Sequence, residues 1–302
     1  MKYPKIEGFV AATFTPFQAD GSLDLAGVEP MADHLLKNGV KAAFIGGTTG
    51  ESASLSLLER LELANRWMEV TRRTKLLVMV HVGSNCVSDS KALAAQAQTL
   101  GAMAISAVAP SYFKPQTIDD LVACAKAIAL AAPGLPYYQY DIPMLTGVTH
   151  SMAGFLNQAA GKIPNLAGVK FSNPDQATLQ ECLANKDFDI LWGIDEALLG
   201  AMALGVQGAV GSTYNFVAPV VHQLVSHFAK GDLAAARIEQ YKVVRFVRVM
   251  CKRGYFGSAR VLLDMMGLKS GNPRLPNRTL CPLERNELMT EIQELGFLAT
   301  GS

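Results

Sequence analysis

The chain has 302 residues, of which 50% are hydrophobic and 18% are charged, and its formal net charge is +1. A chain this close to neutral lacks the basic surface that attracts nucleic acids or anionic membranes, so we expect a small-molecule partner. Its five cysteines lack zinc-site or disulfide spacing, and neither the N-terminus nor any apolar run suits secretion or a membrane span, which predicts a cytoplasmic protein.

Short apolar or β-branched runs alternate with longer amphipathic runs, which is typical of repeated βα units. The predicted strands are Phe9–Phe14, Ala42–Ile45, Leu76–Val82, Ala104–Ala109, Tyr137–Ile142, Gly168–Phe171, Ile190–Trp192 and Gly208–Gly211. The predicted helices are Asp24–Lys37, Leu57–Arg72, Asp89–Leu100, Ile118–Ala131, Ser151–Ala160, Gln176–Ala184, Glu196–Leu204 and Pro219–Ala229. Eight such pairs predict an α/β fold, a closed (β/α)8 TIM barrel, with an open doubly wound sheet as the alternative.

The last part of the chain, Asp232–Phe297, carries helical patterns and no strand signal. Gly254 and the segment Gly271–Pro276 separate the helices there. We therefore predict two regions, a barrel over residues 1–231 and a C-terminal helical extension over residues 232–302 that packs on it.

A single lysine, Lys170, interrupts the apolar run within Leu166–Asp175 (LAGVKFSNPD). A buried ammonium group is costly, and burial lowers the pKa of an amine until it can act as a nucleophile. The residue is therefore either a Schiff-base lysine or a lysine near a strand end whose ammonium group reaches water.

Chemistry in a (β/α)8 barrel sits at the C-terminal ends of the strands, so the residues after each predicted strand are candidates. Gly46–Ser52 (GGTTGES) follows the second strand, and its glycines with the Thr48 and Thr49 hydroxyls suit a carboxylate or a phosphate. The same stretch also fits an ordinary glycine-rich turn in which Thr or Ser caps the next helix.

The fifth strand leads into Tyr137–Pro143 (YYQYDIP). A period of two places Tyr138 and Tyr140 on one face of this strand and Tyr137 on the other, so at most one pair points into a barrel interior. One of these hydroxyls could move protons, or the rings could simply pack in the core.

The seventh and eighth strands are followed by GIDE and GSTYN. Asp195 and Glu196 after Gly193 can accept hydrogen bonds from sugar hydroxyls, and we expect Asp195 to cap the next helix in any case. Ser212 offers a further hydroxyl at the eighth strand. Polar groups at four strand ends, with a lysine at a fifth, together predict one active site.

The motifs GGTTGE, YDIP, GVKF and GSTYN occur in the order and spacing of one enzyme family, which the chain resembles over nearly its whole length. This is the class I aldolase family that contains the dihydrodipicolinate synthases and the N-acetylneuraminate lyases. Within it, GIDE, GSTYN, HVG at His81–Gly83 and APSYFKP at Ala109–Pro115 look most like the lyases.

The resemblance implies that Lys170 forms a Schiff base with the pyruvate carbonyl and that Tyr140 is the catalytic proton shuttle. It implies that Thr48 and Thr49 bind the pyruvate carboxylate. The residues implied to contact the hydroxyl-bearing remainder of a sugar acid are Ser172, Gly193, Asp195, Glu196 and Ser212. It further implies a homotetramer without a metal or diffusible cofactor, and the sequence offers no ligand cluster at metal spacing.

Two positions depart from the family pattern. Dihydrodipicolinate synthases carry an arginine two residues after the proline of the tyrosine motif, where it grips a second carboxylate, and this chain has Leu145 there. The motif usually begins Tyr-Asn, so Asp141 predicts an added charge near the shuttle tyrosine. Tyr112 corresponds to a tyrosine that some relatives donate across a subunit interface.

These features predict a lyase that cleaves N-acetylneuraminate reversibly to pyruvate and N-acetylmannosamine. An aldolase of a shorter 2-keto-3-deoxy sugar acid and a dihydrodipicolinate synthase are the alternatives within the family. A catalytically silent sugar-acid sensor on the same barrel is the alternative from another class, although a binding protein needs no imine-forming lysine.

Overall fold

A computed structural model describes residues 3–296 of the chain, and within them eight parallel strands close into a barrel in sequence order. The strands are β1 Gly8–Ala12, β2 Ala42–Ile45, β3 Leu77–His81, β4 Ala104–Val108, β5 Tyr137–Asp141, β6 Leu166–Phe171, β7 Asp189–Trp192 and β8 Gly208–Gly211. Because β8 pairs with β1, the predicted (β/α)8 barrel is confirmed and the open sheet is wrong.

Helices follow every strand, and further helices follow the barrel. They are α1 Val28–Lys37, α2 Leu57–Thr71, α3 Val87–Leu100, α4 Ile118–Ala129, α5 Pro143–Thr146, α6 Met152–Ala159, α7 Gln176–Ala184, α8 Leu198–Ala203, α9 Ala218–Ala229, α10 Leu233–Lys252, α11 Tyr255–Met265 and α12 Pro282–Leu295. Short 3₁₀ turns lie at Leu25–Gly27, Ser52–Ser54, Asp195–Ala197 and Thr213–Asn215. No helix within residues 3–296 is both long enough and apolar enough to cross a membrane.

Alternation along the strands separates an inner core from an outer one. The interior of the barrel is filled by Val10, Ala12, Ala42, Phe44, Met79, Ala104, Tyr138, Tyr140, Ala167, Leu191 and Val210. Tyr137 and Val169 point the other way and join the core between strands and helices. The predicted division of the three tyrosines is therefore confirmed, because successive side chains of a strand face opposite sides.

Two local features differ from the prediction. Strand β6 begins at Leu166, two residues early, because its pairing with β5 contains a bulge at Tyr137 and Tyr138. Helix α5 was not predicted; it is a single turn that begins at Pro143, whose missing N–H costs nothing at a first helical position.

The predicted C-terminal helices are present as α10, α11 and α12; α10 packs on α8 and α9 of the barrel, and α11 and α12 pack against α10. The ring of Phe246 on α10 lies 5.6 Å from the ring of Phe216 after β8, measured between centroids. The division of the chain at residues 231 and 232 stays a prediction, and residues 297–302 of the predicted extension lie outside the described residues.

Candidate active site

A cavity of about 250 Å³ lies at the C-terminal ends of the strands. All nine residues predicted for the site line it: Thr48, Thr49, Tyr140, Lys170, Ser172, Gly193, Asp195, Glu196 and Ser212. They come from β5, β6 and the segments after β2, β6, β7 and β8, so the barrel brings together residues that are far apart in the sequence.

Lys170 projects from β6 into the interior of the barrel beside Tyr140 of β5, its partner in strand register. Its side chain is buried, with 4% exposure, so the ammonium end does not extend into bulk water. The amine nitrogen lies 3.6 Å from the ring centroid of Tyr140 and 4.4 Å from that of Phe44. Two aromatic rings therefore form the wall against which the amine lies.

The ring of Tyr140 is fixed by edge-on contacts with two further rings. Its centroid lies 5.9 Å from that of Phe44 and 6.0 Å from that of His81, both nearly perpendicular. Burial, with a smaller contribution from the nearby Arg60 guanidinium, holds the pKa of His81 well below its usual range. A neutral His81 then donates from Nδ1 to the Gly46 carbonyl at 2.9 Å, which ties the Tyr140 environment to the loop after β2.

The loop after β2 presents Thr48 and Thr49 to the cavity. Helix α2 is capped by the Ser56 side chain in a capping box with Glu59, and Ser56 lies outside the GGTTGES stretch. The helix-cap interpretation of this stretch is therefore wrong, because the cap comes from elsewhere.

Asp195 is buried in the cavity wall after β7. Its Oδ2 atom accepts a hydrogen bond of 2.9 Å from the Thr213 amide, and no cap bond links it to α8. The prediction that Asp195 caps the next helix is therefore wrong, because its carboxylate turns towards β8 instead. Burial raises the pKa of Asp195, while the Thr213 amide donor opposes that rise.

Two glycines make room for these polar groups. A Cβ atom on Gly211 would lie 1.7 Å from Oδ1 of Asp195, and one on Gly193 would lie 1.9 Å from Oγ of Ser172. The Ser172 hydroxyl donates to the Gly193 carbonyl at 3.2 Å. Only glycine allows the side chains of neighbouring strands to cross the backbone this closely.

The C-terminal extension also lines the cavity, which the sequence analysis did not predict. Val247 on α10 and Tyr255 and Phe256 on α11 contribute to its wall. The hydroxyls of Tyr255 and Ser212 are 2.6 Å apart. Tyr255 directly follows the predicted helix break at Gly254, and an aromatic residue at such a break was the available signal.

Asp141 does not line the cavity. Its Oδ2 atom accepts a hydrogen bond of 3.1 Å from Asn173, and burial raises the pKa of Asp141 to about 6. The added charge is thus next to Tyr140 in sequence but directed away from the site. Leu145 on α5 and Tyr112 after β4 are exposed, with 63% and 78% of their surface accessible.

No group of three His, Cys, Asp or Glu residues within residues 3–296 is arranged to hold a metal ion. The polar groups that line the cavity are an amine, hydroxyls, two carboxylates and backbone groups. This set can form an imine, move protons and bind a chain of hydroxyls.

Comparison with known proteins places this site in a family. The profile of the Dihydrodipicolinate synthetase family matches residues 5–295. The N-acetylneuraminate lyase A of Xenopus laevis is 42% identical, over 91% of this chain and 90% of its own. The structure of N-acetylneuraminate lyase from Proteus mirabilis is 35% identical with a TM-score of 0.94, over 98% of this chain and 100% of that one. The Aliivibrio salmonicida lyase is likewise 35% identical with a TM-score of 0.95, over 99% and 100%. The chain therefore belongs to the dihydrodipicolinate synthetase family.

Proposed function

We propose that this chain is a carbon–carbon lyase that cleaves N-acetylneuraminate reversibly to pyruvate and N-acetylmannosamine. The observation that carries the proposal is the contact between the buried amine of Lys170 and the ring of Tyr140 inside a cavity lined by polar groups. The similarity to N-acetylneuraminate lyases over most of the chain supports the same substrate.

The first step of the proposed reaction takes place at Lys170. Its neutral amine attacks the C2 ketone of the open-chain sugar acid, and the carbinolamine hydroxyl takes a proton from the Tyr140 hydroxyl and leaves as water, which gives an iminium ion and a Tyr140 phenolate. Thr48 and Thr49 bind the neighbouring carboxylate, which orients the C3–C4 bond along the iminium π system. No cofactor is needed, because the iminium itself accepts the electron pair.

Tyr140 then acts as the proton shuttle. Its phenolate oxygen accepts the proton of the C4 hydroxyl while the C3–C4 bond breaks, and the bonding electrons form an enamine with Lys170 as the aldehyde leaves. The same hydroxyl returns a proton to C3 of the enamine. Water finally hydrolyses the iminium, and the proton released returns to the Tyr140 phenolate, so that pyruvate leaves and both the free amine and the Tyr140 hydroxyl are restored.

The part of the cavity wall that follows β6, β7 and β8 is suited to a polyhydroxylated chain. Asp195 and Glu196 supply acceptors, while Ser172 and Ser212 supply hydroxyls. A substrate with a second carboxylate would need a cation beside it, and Leu145 stands at the position where the synthases carry their arginine. The synthase alternative is therefore disfavoured, as is the silent sensor, since both Lys170 and Tyr140 are in place.

We further propose that the chain acts in the cytoplasm as a homotetramer. Tyr112 and Phe113 after β4 and Met144 and Leu145 on α5 are large apolar side chains, each at least 63% exposed. Large exposed apolar side chains favour burial against another molecule. In an oligomer of this chain, Tyr112 would lie at the interface with a neighbouring copy.

The function is tested by comparing initial rates of pyruvate release from N-acetylneuraminate and from 2-keto-3-deoxygluconate, alongside condensation of pyruvate with aspartate semialdehyde. We expect N-acetylneuraminate to give the highest kcat/KM. Faster condensation with aspartate semialdehyde would contradict the lyase assignment and leave only the aldolase class. Faster cleavage of the shorter acid would contradict the assignment of the sugar.

A further inference from the structure

Glu51 has an unusual backbone conformation two residues after Thr49. With φ 55° and ψ 36° it is the only residue other than glycine with positive φ among residues 3–296. This left-handed region is disfavoured for a residue with a Cβ atom. Other interactions must therefore hold Glu51 in place, and such outliers cluster at functional sites.

The Glu51 carboxylate is buried and is bound entirely by the C-terminal extension. It forms an ion pair with Arg260 of α11, and the Arg260 side chain is itself 3% exposed. The second carboxylate oxygen accepts a hydrogen bond of 2.9 Å from the Arg274 amide and one of 3.1 Å from the Asn277 side chain. The surrounding groups thus bind both oxygens of the carboxylate.

The backbone around Glu51 connects these contacts to the cavity. Its amide donates to the Thr48 carbonyl at 2.9 Å, which closes the turn that contains Thr48 and Thr49. Arg260 also donates to the Thr15 carbonyl at 2.8 Å, and the Thr15 hydroxyl donates to the Gly50 carbonyl at 2.7 Å. One guanidinium therefore fixes the turn at its side chain and, through Thr15, at its backbone.

We infer that Glu51 is a positioning residue through which the C-terminal extension sets the geometry of the Thr48–Thr49 turn. The inference rests on the proposed function, in which this turn binds the substrate carboxylate. Glu51 does not line the cavity, so it acts only through the turn. Hydrogen bonds to a bound carboxylate weaken steeply when their donors shift or tilt, so a loosened turn loses carboxylate affinity first.

Glutamine is the substitution that disturbs this arrangement with the smallest change in shape. Glu51→Gln places an amide that lacks the negative charge against a buried Arg260, which leaves the guanidinium without its counter-ion. Asn277→Ala is a milder change, because it removes one neutral donor and keeps the ion pair.

The matched control is Glu59→Gln. Glu59 forms an ion pair with Arg274 of the same extension, but it has no bond to the Thr48–Thr49 turn. Glutamine there removes a charge beside the extension, while Glu51 keeps its ion pair with Arg260 and its hydrogen bond from Asn277.

The test measures imine formation on Lys170 by borohydride trapping at increasing concentrations of two ketones. Pyruvate carries the carboxylate that the turn would bind, and hydroxyacetone does not. In Glu51→Gln we expect the half-saturating pyruvate concentration to rise about tenfold or more, with hydroxyacetone trapping unchanged. Asn277→Ala should raise the pyruvate value about threefold, and Glu59→Gln should match the wild type.

Three results would decide against the inference. Unchanged pyruvate half-saturation in both Glu51→Gln and Asn277→Ala would overturn it. An equal rise in the half-saturating concentrations of both ketones would mean that Glu51 has only a general structural role. Circular dichroism would then show a lower melting temperature for Glu51→Gln. If Glu59→Gln raised the half-saturating pyruvate concentration as much as Glu51→Gln, the effect would belong to the extension as a whole. Failure of the wild-type protein to trap pyruvate would instead contradict the proposed function.

Discussion

The two ends of the barrel interior each contain a tyrosine and an aspartate, but the contacts of these residues differ between the ends. At the N-terminal end, the Tyr138 hydroxyl donates to Oδ2 of Asp189 at 3.0 Å, and the Ile6 amide donates to the same oxygen at 2.9 Å. Two residues later on the same strand face, Tyr140 lies against the amine of Lys170 in the cavity. One tyrosine is therefore committed to a buried partner, and the other is available to a ligand.

The buried carboxylates follow the same division. Asp189 binds Tyr138 at the N-terminal end of the barrel, whereas Asp195 lines the cavity and accepts from the Thr213 amide. Burial raises the pKa of both groups. The interior therefore differs between its ends in which polar groups border the cavity: Tyr140 and Asp195 do, and Tyr138 and Asp189 do not.

The largest effect is expected from the residue that forms the imine. Lys170→Ala should abolish both the borohydride-trapped pyruvate adduct and cleavage of N-acetylneuraminate, because no other group in the cavity is an amine. Lys170→Arg should be equally inactive, since a guanidinium remains protonated and cannot attack a ketone. Mass spectrometry of the trapped protein checks the site, and an adduct on a different lysine would contradict the assignment.

The next prediction distinguishes the role of Tyr140 from that of Tyr138. Tyr140→Phe should still form the pyruvate imine but lose turnover by about 100-fold or more, because only the shuttle hydroxyl is removed. Tyr138→Phe is the matched control at the other end of the barrel. It should keep turnover within about threefold and lower the free energy of unfolding by about 1 kcal/mol, the usual worth of one hydrogen bond. Near-normal turnover in Tyr140→Phe would return Tyr140 to a packing role.

Sequence patterns were sufficient for the parts of this site that follow from strand geometry. The lone lysine in an apolar run and the period of two along the fifth strand made Lys170 and the pair Tyr138 and Tyr140 candidates, and the family resemblance then selected Lys170 and Tyr140. Tyr255 and Glu51 were not predicted in their present roles. Their positions depend on how the helical extension folds back over the barrel, and no local pattern in the sequence encodes that packing.

The direction of the Asp195 carboxylate shows the same limit. An aspartate before a helix usually caps it, so a cap was the reasonable prediction. The close approach of Asp195 to Gly211 and its bond to the Thr213 amide depend on the neighbouring strand instead. Contacts between strands decided the outcome, and they are visible only in the structure.

A smaller effect is expected at the wall that binds the sugar. Glu196→Gln, Ser212→Ala and Tyr255→Phe should each raise the KM for N-acetylneuraminate about fivefold, the equivalent of about 1 kcal/mol for one lost hydrogen bond. Pyruvate trapping should be unchanged, because the proposed imine and carboxylate contacts are made by Lys170, Thr48 and Thr49 and not by these side chains. Tyr241→Phe on the exposed face of α10 is the control for Tyr255→Phe. If these variants lost pyruvate trapping, the replaced side chains would act in imine formation rather than in binding the sugar.

The smallest effect concerns stability at the N-terminal end of the barrel. Burial raises the folded-state pKa of Asp189, although the bonds from Ile6 and Tyr138 and the charge of Lys5 oppose the rise. A raised pKa means that the folded state favours the protonated form, so this contribution to stability is fully present below about pH 4. It is lost as the pH rises through the folded-state pKa.

Asp189→Asn cannot ionise and should escape that loss. Its free energy of unfolding relative to the wild type should therefore increase between about pH 4.5 and pH 8, as measured by urea denaturation at each pH. Tyr138→Phe should change in the opposite direction, because it removes a donor that stabilises the ionised carboxylate and so raises the Asp189 pKa further. Parallel pH profiles for the three proteins would mean that Asp189 titrates alike in the folded and unfolded states. The contrast between the two ends would then rest on Tyr138 and Tyr140 alone.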